Sequence, residues 1–407
     1  MQGSAKRIAL IVTAFAVVTA FYSGGVAQEH RGQRARPREK TPFEQWIESQ
    51  GVPILKGYAV DDVWKAKLGP WKRLGIQGAI VDLEGEGGMM VGFIYELAPG
   101  KQSLPEKHLY EGRVLVLSGN GEARFWYDEG KKVTAKWEPM TLFPLPMNTW
   151  HEFINTGKEP ARLFAATNAP LIIDLFRDLD FVFNSNHRFS GRFNSETDYF
   201  KLELYKFRDP QKTPDGYALT ITNIVPDVPT IKLYPAGHGV VKGGGAETVN
   251  HHFSLAKDAL DSHIEEFQPA RYERGHRHGP GANVLYLSGH GYTLMWPPEL
   301  GPRPFTDGRG DEVIRVDWHA GTLFVPPTQW YHQHFNPSAA PARFIKVAGF
   351  GSRVYRLTSR EVFAERSSVI NWADEDPKIR EIFETELKKN GVESRMPSLK
   401  ELSAQPK

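Results

Sequence analysis

Arg113–Trp126 reads RVLVLSGNGEARFW, and Asn283–Trp296 reads NVLYLSGHGYTLMW. Val114, Leu115, Leu117, Ser118, Gly119, Gly121 and Trp126 return as Val284, Leu285, Leu287, Ser288, Gly289, Gly291 and Trp296, at a constant offset of 170. Further on, Thr141-Leu142-Phe143 returns as Thr322-Leu323-Phe324, His151 as His332, Asn155 as Asn336, and Pro160-Ala161-Arg162 as Pro341-Ala342-Arg343, at an offset of 181. The eleven added residues fall in the Pro/Gly-rich stretch PPELGPRPFTDGRG after Trp296, which reads as a lengthened hairpin loop. Each repeat is a short β-prone run ended by Gly, then a second extended run, the rhythm of an antiparallel barrel or jelly roll. Two copies 170 residues apart predict two barrels rather than blades of one propeller. The recurring Trp126, Trp296, Phe143 and Phe324 read as barrel core, and Asn155 and Asn336 as turn-stabilising residues.

His276 and His278 stand at i, i+2 just before the run Val284 to Leu287. Alternate residues of a strand share a face, so both imidazoles can converge inside a barrel. His332 and His334, again at i, i+2, lie on a later strand of the same repeat. Three or four neutral imidazoles on one interior face suit Fe, Mn, Cu, Ni or Zn, and three protein ligands with open positions are the arrangement of a catalytic site. The chain has no cysteine, so any metal is held by His and carboxylates.

This pattern resembles the cupin superfamily. The first cupin motif is His-x-His, a Glu four or five residues on, then a Gly; the second has Gly, Pro, a His and an Asn four beyond it. Here His276-Arg277-His278 leads to Gly289, and Gly321, Pro327, His332 and Asn336 follow the second motif. The resemblance spans roughly Gly75 to Gly351 and implies an all-β bicupin, with two double-stranded β-helix (jelly-roll) barrels and peripheral helices. It implies His276, His278 and His332 as ligands, with His334 beside them. The family glutamate falls on Asn283, which could bind through its amide oxygen. His-only ligation and a WHxH-type second motif resemble the gentisate-dioxygenase-like bicupins. In the first repeat Glu106 replaces His276, His108 matches His278, Arg113 replaces Asn283, and Phe153 replaces His334. Glu106, His108, Glu111 and His151 are the candidates for a mixed N/O site there; alternatively Arg113 pairs with Glu106 or Glu111 in place of a cation. His251, His252, His263, His290 and His319 have no motif support and read as surface or packing residues.

Outside the barrels, Lys6 and Arg7, the apolar run Ile8 to Phe21 and the small residues before Ala27 describe a secretory signal, residues 1–27. The run is shorter than the ~20 residues a bilayer span needs, so cleavage and no membrane association afterwards are expected. Removing Lys6 and Arg7 takes the formal net charge from +2 to 0, which argues against a nucleic-acid partner. Residues 28–72 read as a basic tether and a Trp-rich segment wrapping the first barrel. Residues 73–170 form the first cupin domain, 171–245 a connector with a flexible joint at Gly243-Gly244-Gly245, and 246–352 the second. Residues 353–407 form a helical tail, with a helix over Glu361 to Asn390 ended at Gly391.

These readings predict an exported protein, periplasmic or secreted, acting on a small-molecule substrate; a homo-oligomer is left open. The leading expectation is a mononuclear Fe(II)-dependent dioxygenase, because a facial set of histidines leaves positions for substrate and O2. The alternatives are a Mn-dependent decarboxylase resembling the oxalate decarboxylases, with Glu106 and Glu111 as its carboxylates, and a non-catalytic small-molecule binding cupin.

Overall fold

In the computed structural model, residues 39–201, 206–209, 211, 217–235, 247–279, 281–350 and 369–403 are described. The signal segment, most of the basic tether and Gly243–Gly245 lie outside them. The fold is all-β with peripheral helices, and the repeat appears as two two-sheet units. The first unit sets a sheet of Ile54–Leu55, Ile76–Val81, Val91–Leu97, Ala161–Thr167, Gly112–Ser118 and Leu142–Leu145, with Gly69–Trp71 at one side, beside a sheet of Trp150–Asn155, Gly121–Trp126 and Val133–Trp137. The second unit repeats this with Val249–Leu255, Ser262–Phe267, Ala342–Lys346, Val284–Ser288 and Leu323–Phe324 in the large sheet. Its small sheet holds Arg271–Tyr272, Tyr331–Asn336, His290–Trp296 and Ile314–His319. The lengthened loop joins His290–Trp296 to Ile314–His319, which pair as an antiparallel hairpin.

The repeated glycines have physical reasons. Gly119 and Gly289 have φ of +81° and +83°, and a Cβ on either would lie 2.7 Å or less from the alanine that opens the neighbouring strand, Ala161 or Ala342. Asn155 and Asn336 close the following turns as expected, donating to Glu159 O at 2.8 Å and to Ala340 O at 2.9 Å. Phe143 and Phe324 lie inside their units, whereas Trp296 packs outward with Leu300 and Ile370 of the tail cluster.

The expected wrapping segment and connector are shared between the units. Helix Pro42–Ser49 is capped by a Thr41/Glu44 capping box and buries Phe43, Trp46 and Ile47 in the first core. Ala59–Val60, however, pairs with Leu323–Phe324 of the second unit. Val225, from the connector, pairs in turn with Leu142 of the first. The two units thus exchange edge segments. Leu255, Ile264, Leu285 and Ile345 of one large sheet meet Val81, Ile94, Leu115 and Phe164 of the other in a shared core.

In the tail the helix covers only Pro377–Lys389; residues 361–368 lie outside the described residues. Asp376 caps its start, and at its end Val392 N donates to Leu387 O and Gly391 N to Lys388 O, a Schellman motif around Gly391 at φ +65°. No helix among the described residues is long and apolar enough to cross a membrane.

Candidate metal centres

The second unit brings four histidines together. His276 and His332 face each other across antiparallel strands, each donating its backbone N–H to the other's carbonyl at 3.1 and 2.8 Å. Alternation then puts His334 on the same inward face as His332. Ring centres of His276, His278 and His334 lie 4.3, 4.7 and 5.5 Å from that of His332. Donor atoms of His276, His332 and His334 all lie within 4.8 Å of one another, and His278 Nε2 is 3.2 Å from His332 Nε2.

Each imidazole is anchored through Nδ1: His276 to Arg274 O (3.0 Å), His278 to Gly279 O (3.0 Å), His332 to Trp330 O (3.1 Å) and His334 to Thr293 Oγ1 (2.9 Å). Nδ1 is therefore engaged, and Nε2 is the atom presented to the centre, the usual preparation of a metal-binding histidine. Burial, reinforced by the three neighbouring imidazoles, pushes His332 well below the usual imidazole range, so it is neutral and able to ligate. Phe267 and Phe324 lie 5.5 and 5.7 Å from His334 and line the centre with apolar surface.

The first unit keeps the frame and changes the donors. His108 Nδ1 is anchored to Tyr110 O (2.9 Å) and His151 Nδ1 to Thr149 O (3.1 Å), and His151 Nε2 faces Glu106 Oε1 at 3.6 Å. Glu106, His108 and His151 are all buried with donor atoms within 4.8 Å. Burial opposes ionisation of Glu106, but Arg73, His151 and His108 hold it well below the usual carboxylate range. Burial and His151 push His108 down to about 3. The cation beside this group is Arg73, not Arg113: its guanidinium lies 2.6 Å from Glu106 Oε2 and over the rings of Trp46, Trp71 and Phe183. The connector closes this end of the unit, with Val182 O bonded to Leu109 N and Phe193 and Tyr199 in the first core.

Two expected ligands go elsewhere. Glu111 accepts from Arg192 at 2.6 Å and from Ala259 N at 3.1 Å, away from Glu106. Asn283 alternates with the inward Val284, so it points to the junction between units, where its amide meets Glu86 at 3.3 Å. Arg113 occupies the equivalent place and forms a fully buried pair with Asp258 at 2.6 Å, with further bonds to Ser262 Oγ and Leu260 O. Among the residues flanking the motif, Tyr286 is core, stacked 3.8 Å from Trp318; Arg277 lies over Tyr331 on the outer side; and Trp330 packs near Tyr58. Gln329 holds φ +63° and donates its N–H to His278 O, as Asn148 at φ +53° does to His108 O. The two left-handed residues fix the loop ahead of each second-motif histidine; their shared spacing from His332 and His151 was the available sequence signal.

His290 and His319 are exposed, as expected, and His251 is a packing residue bonded to Thr220 Oγ1 at 2.8 Å. His252 and His263 depart from that expectation, converging with Asp261 into a third group.

No family model and no curated protein matches the sequence. Among solved structures, the chain is similar to the Lactobacillus farciminis oxalate decarboxylase formate complex at 11% identity and TM-score 0.42, covering 76% of this chain and 94% of that one. It is similar to Bacillus subtilis oxalate decarboxylase at pH 4.6 at 11% identity and TM-score 0.39, covering 78% and 88%. A SENS161-164DSSN mutant of the Bacillus enzyme gives 12% and 0.40, covering 77% and 85%. Likeness at this level leaves activity to be argued from the site itself.

Proposed function

We propose that the chain is an exported, metal-dependent bicupin enzyme acting on a small anionic organic substrate, with its working centre at His276, His278, His332 and His334. The observation that carries this reading is the common anchoring of the four imidazoles through Nδ1, with donors of His276, His332 and His334 within 4.8 Å of one another and His278 Nε2 3.2 Å from His332 Nε2. The donor set fits a borderline divalent ion such as Fe, Mn, Cu, Ni or Zn. When bound, such an ion supplies a Lewis-acid centre with positions left for substrate.

Neutral imidazoles leave that ion's double positive charge uncompensated, which favours a substrate offering carboxylate or enolate oxygens. Phe267 and Phe324 keep the surroundings apolar and strengthen that attraction. The clustered donors His276, His332 and His334 are all imidazoles, a set that leaves positions for substrate and O2 at Fe(II). The Mn-dependent decarboxylase reading has its own support in the first unit, where Glu106 stands with His108 and His151. Arg73, however, already engages that carboxylate.

The test loads the metal-free protein anaerobically with Fe(II) or Mn(II), then follows O2 uptake and CO2 release over small carboxylic and hydroxyaromatic acids. O2 uptake lost in His276→Ala/His278→Ala is the expected result. CO2 release without net O2 use, lost in His108→Ala/His151→Ala, would replace it with the decarboxylase reading. Tight binding without turnover would leave a binding protein.

A further inference from the structure

His252 and His263 are directly opposed on Val249–Leu255 and Ser262–Phe267, and His263 is opposed on its other side by Lys346. At the corresponding register of the first unit stand Ile80, Phe93 and Ala165, all in its apolar core. The fold is therefore built at this level by hydrocarbon alone in one unit. In the other it half-buries two imidazoles, an ammonium and, from the turn before Ser262, the carboxylate of Asp261. Burying polar groups where apolar ones suffice costs stability and calls for a reason.

We propose that His252, Asp261 and His263 form a separate transition-metal site in the second unit. His252 Nδ1 lies 3.5 Å from Asp261 Oδ1, and His263 Nδ1 lies 3.7 Å from Asp261 Oδ2. Donors sharing one ion at about 2.1 Å stand about 3.0–3.5 Å apart, so small side-chain shifts complete the site. His263 Nδ1 is buried and makes no hydrogen bond among the described residues. Lys346 Nζ, 2.5 Å from Asp261 Oδ2, orients the carboxylate and balances its charge when no ion is held.

Two imidazoles and one carboxylate select borderline ions such as Zn, Co, Ni, Mn or Fe over Ca or Mg. Phe344 stands between this group and the four-histidine centre, 5.9 Å from His263 and 6.4 Å from His334. The two sites are thus neighbours inside one unit without sharing a ligand, and this inference stands independently of the proposed enzymatic reading.

The test is the Zn(II) content of the full chain after chelator stripping, reloading and dialysis. His252→Ala/His263→Ala and, as a milder change, Asp261→Asn are each expected to hold about one equivalent less than the parent. His276→Ala/His278→Ala keeps that equivalent while losing its own. Lys346→Met, which removes the competing ammonium, tightens the binding. Parent-level Zn(II) in both His252→Ala/His263→Ala and Asp261→Asn, folded by circular dichroism, would overturn the site; if only one folds, its Zn(II) content decides.

Discussion

The two β-units share a backbone and differ in what they place inside it. Both carry a histidine on the second-motif strand anchored two residues back, and both hold a left-handed residue three positions earlier. At the position of His334 the first unit has Phe153, packed among Tyr95 and Phe143. Where the second unit has His276, the first has Glu106, tied to Arg73. One interior is closed by aromatic rings and an internal ion pair; the other keeps imidazole nitrogen donors. A duplicated fold can thus be held together by one copy's hydrocarbon while the other copy carries the polar cost of a site.

The junction repeats the lesson in reverse, because there the first unit supplies the charge. Arg113 and Asn283 occupy equivalent strand positions, but Arg113 meets Asp258 as a buried ion pair, whereas Asn283 meets Glu86. Burial pushes Glu86 well above the usual carboxylate range, so that pair is neutral. Replacing Arg113 by Met strands Asp258 as a buried charge and should cost about 3–5 kcal/mol in chemical denaturation. An equal loss in Asn283→Ala would break the distinction between the two pairs.

The outer face of the second-motif strand gives another contrast. In the first unit Glu152 meets Lys132, whereas its counterpart Gln333 donates to Glu375 of the tail at 2.8 Å, as does Tyr272 at 2.8 Å. Burial raises Glu375 to about 7, against the lowering effect of Tyr272 and Gln333. A raised carboxyl pKa makes the protonated form the native one. Its stabilisation is therefore fully present below about pH 4.5 and lost as pH rises through about 7, on the order of 3 kcal/mol. Glu375→Gln should flatten that part of the stability profile between pH 5 and 8; an unchanged slope would refute the assignment.

Exchanging the interior residue itself sharpens the comparison further. His334→Phe, which copies the first unit, should weaken metal affinity about 10–100-fold with the fold retained. The smallest effect belongs to the neutral junction pair: Asn283→Ala should cost about 1 kcal/mol, measured beside Arg113→Met.

Much of this was legible in the sequence. The offset of 170 changing to 181 located both units and the long hairpin, because close-packed glycines and core residues tolerate little change. The four histidines were found through strand alternation, which also could have turned Asn283 and Arg113 outward, since each precedes an inward Val. What alternation cannot give is the partner across the junction: Asp258 is 145 residues from Arg113, and Arg73 reaches Glu106 from a segment with no motif. His252 and His263 read as surface or packing residues because a hairpin, not a sequence pattern, brings them together. The edge exchange that seats Ala59–Val60 on the second unit and Val225 on the first was hidden for the same reason.

The most direct measurement of the central claim is elemental analysis of the protein beside two variants, His276→Ala/His278→Ala and His108→Ala/His151→Ala. The account predicts that the first variant loses about one equivalent of Fe or Mn together with turnover, and that the second retains both. Retention of metal and turnover in the first, with their loss in the second, would contradict it and move the working centre to the first unit.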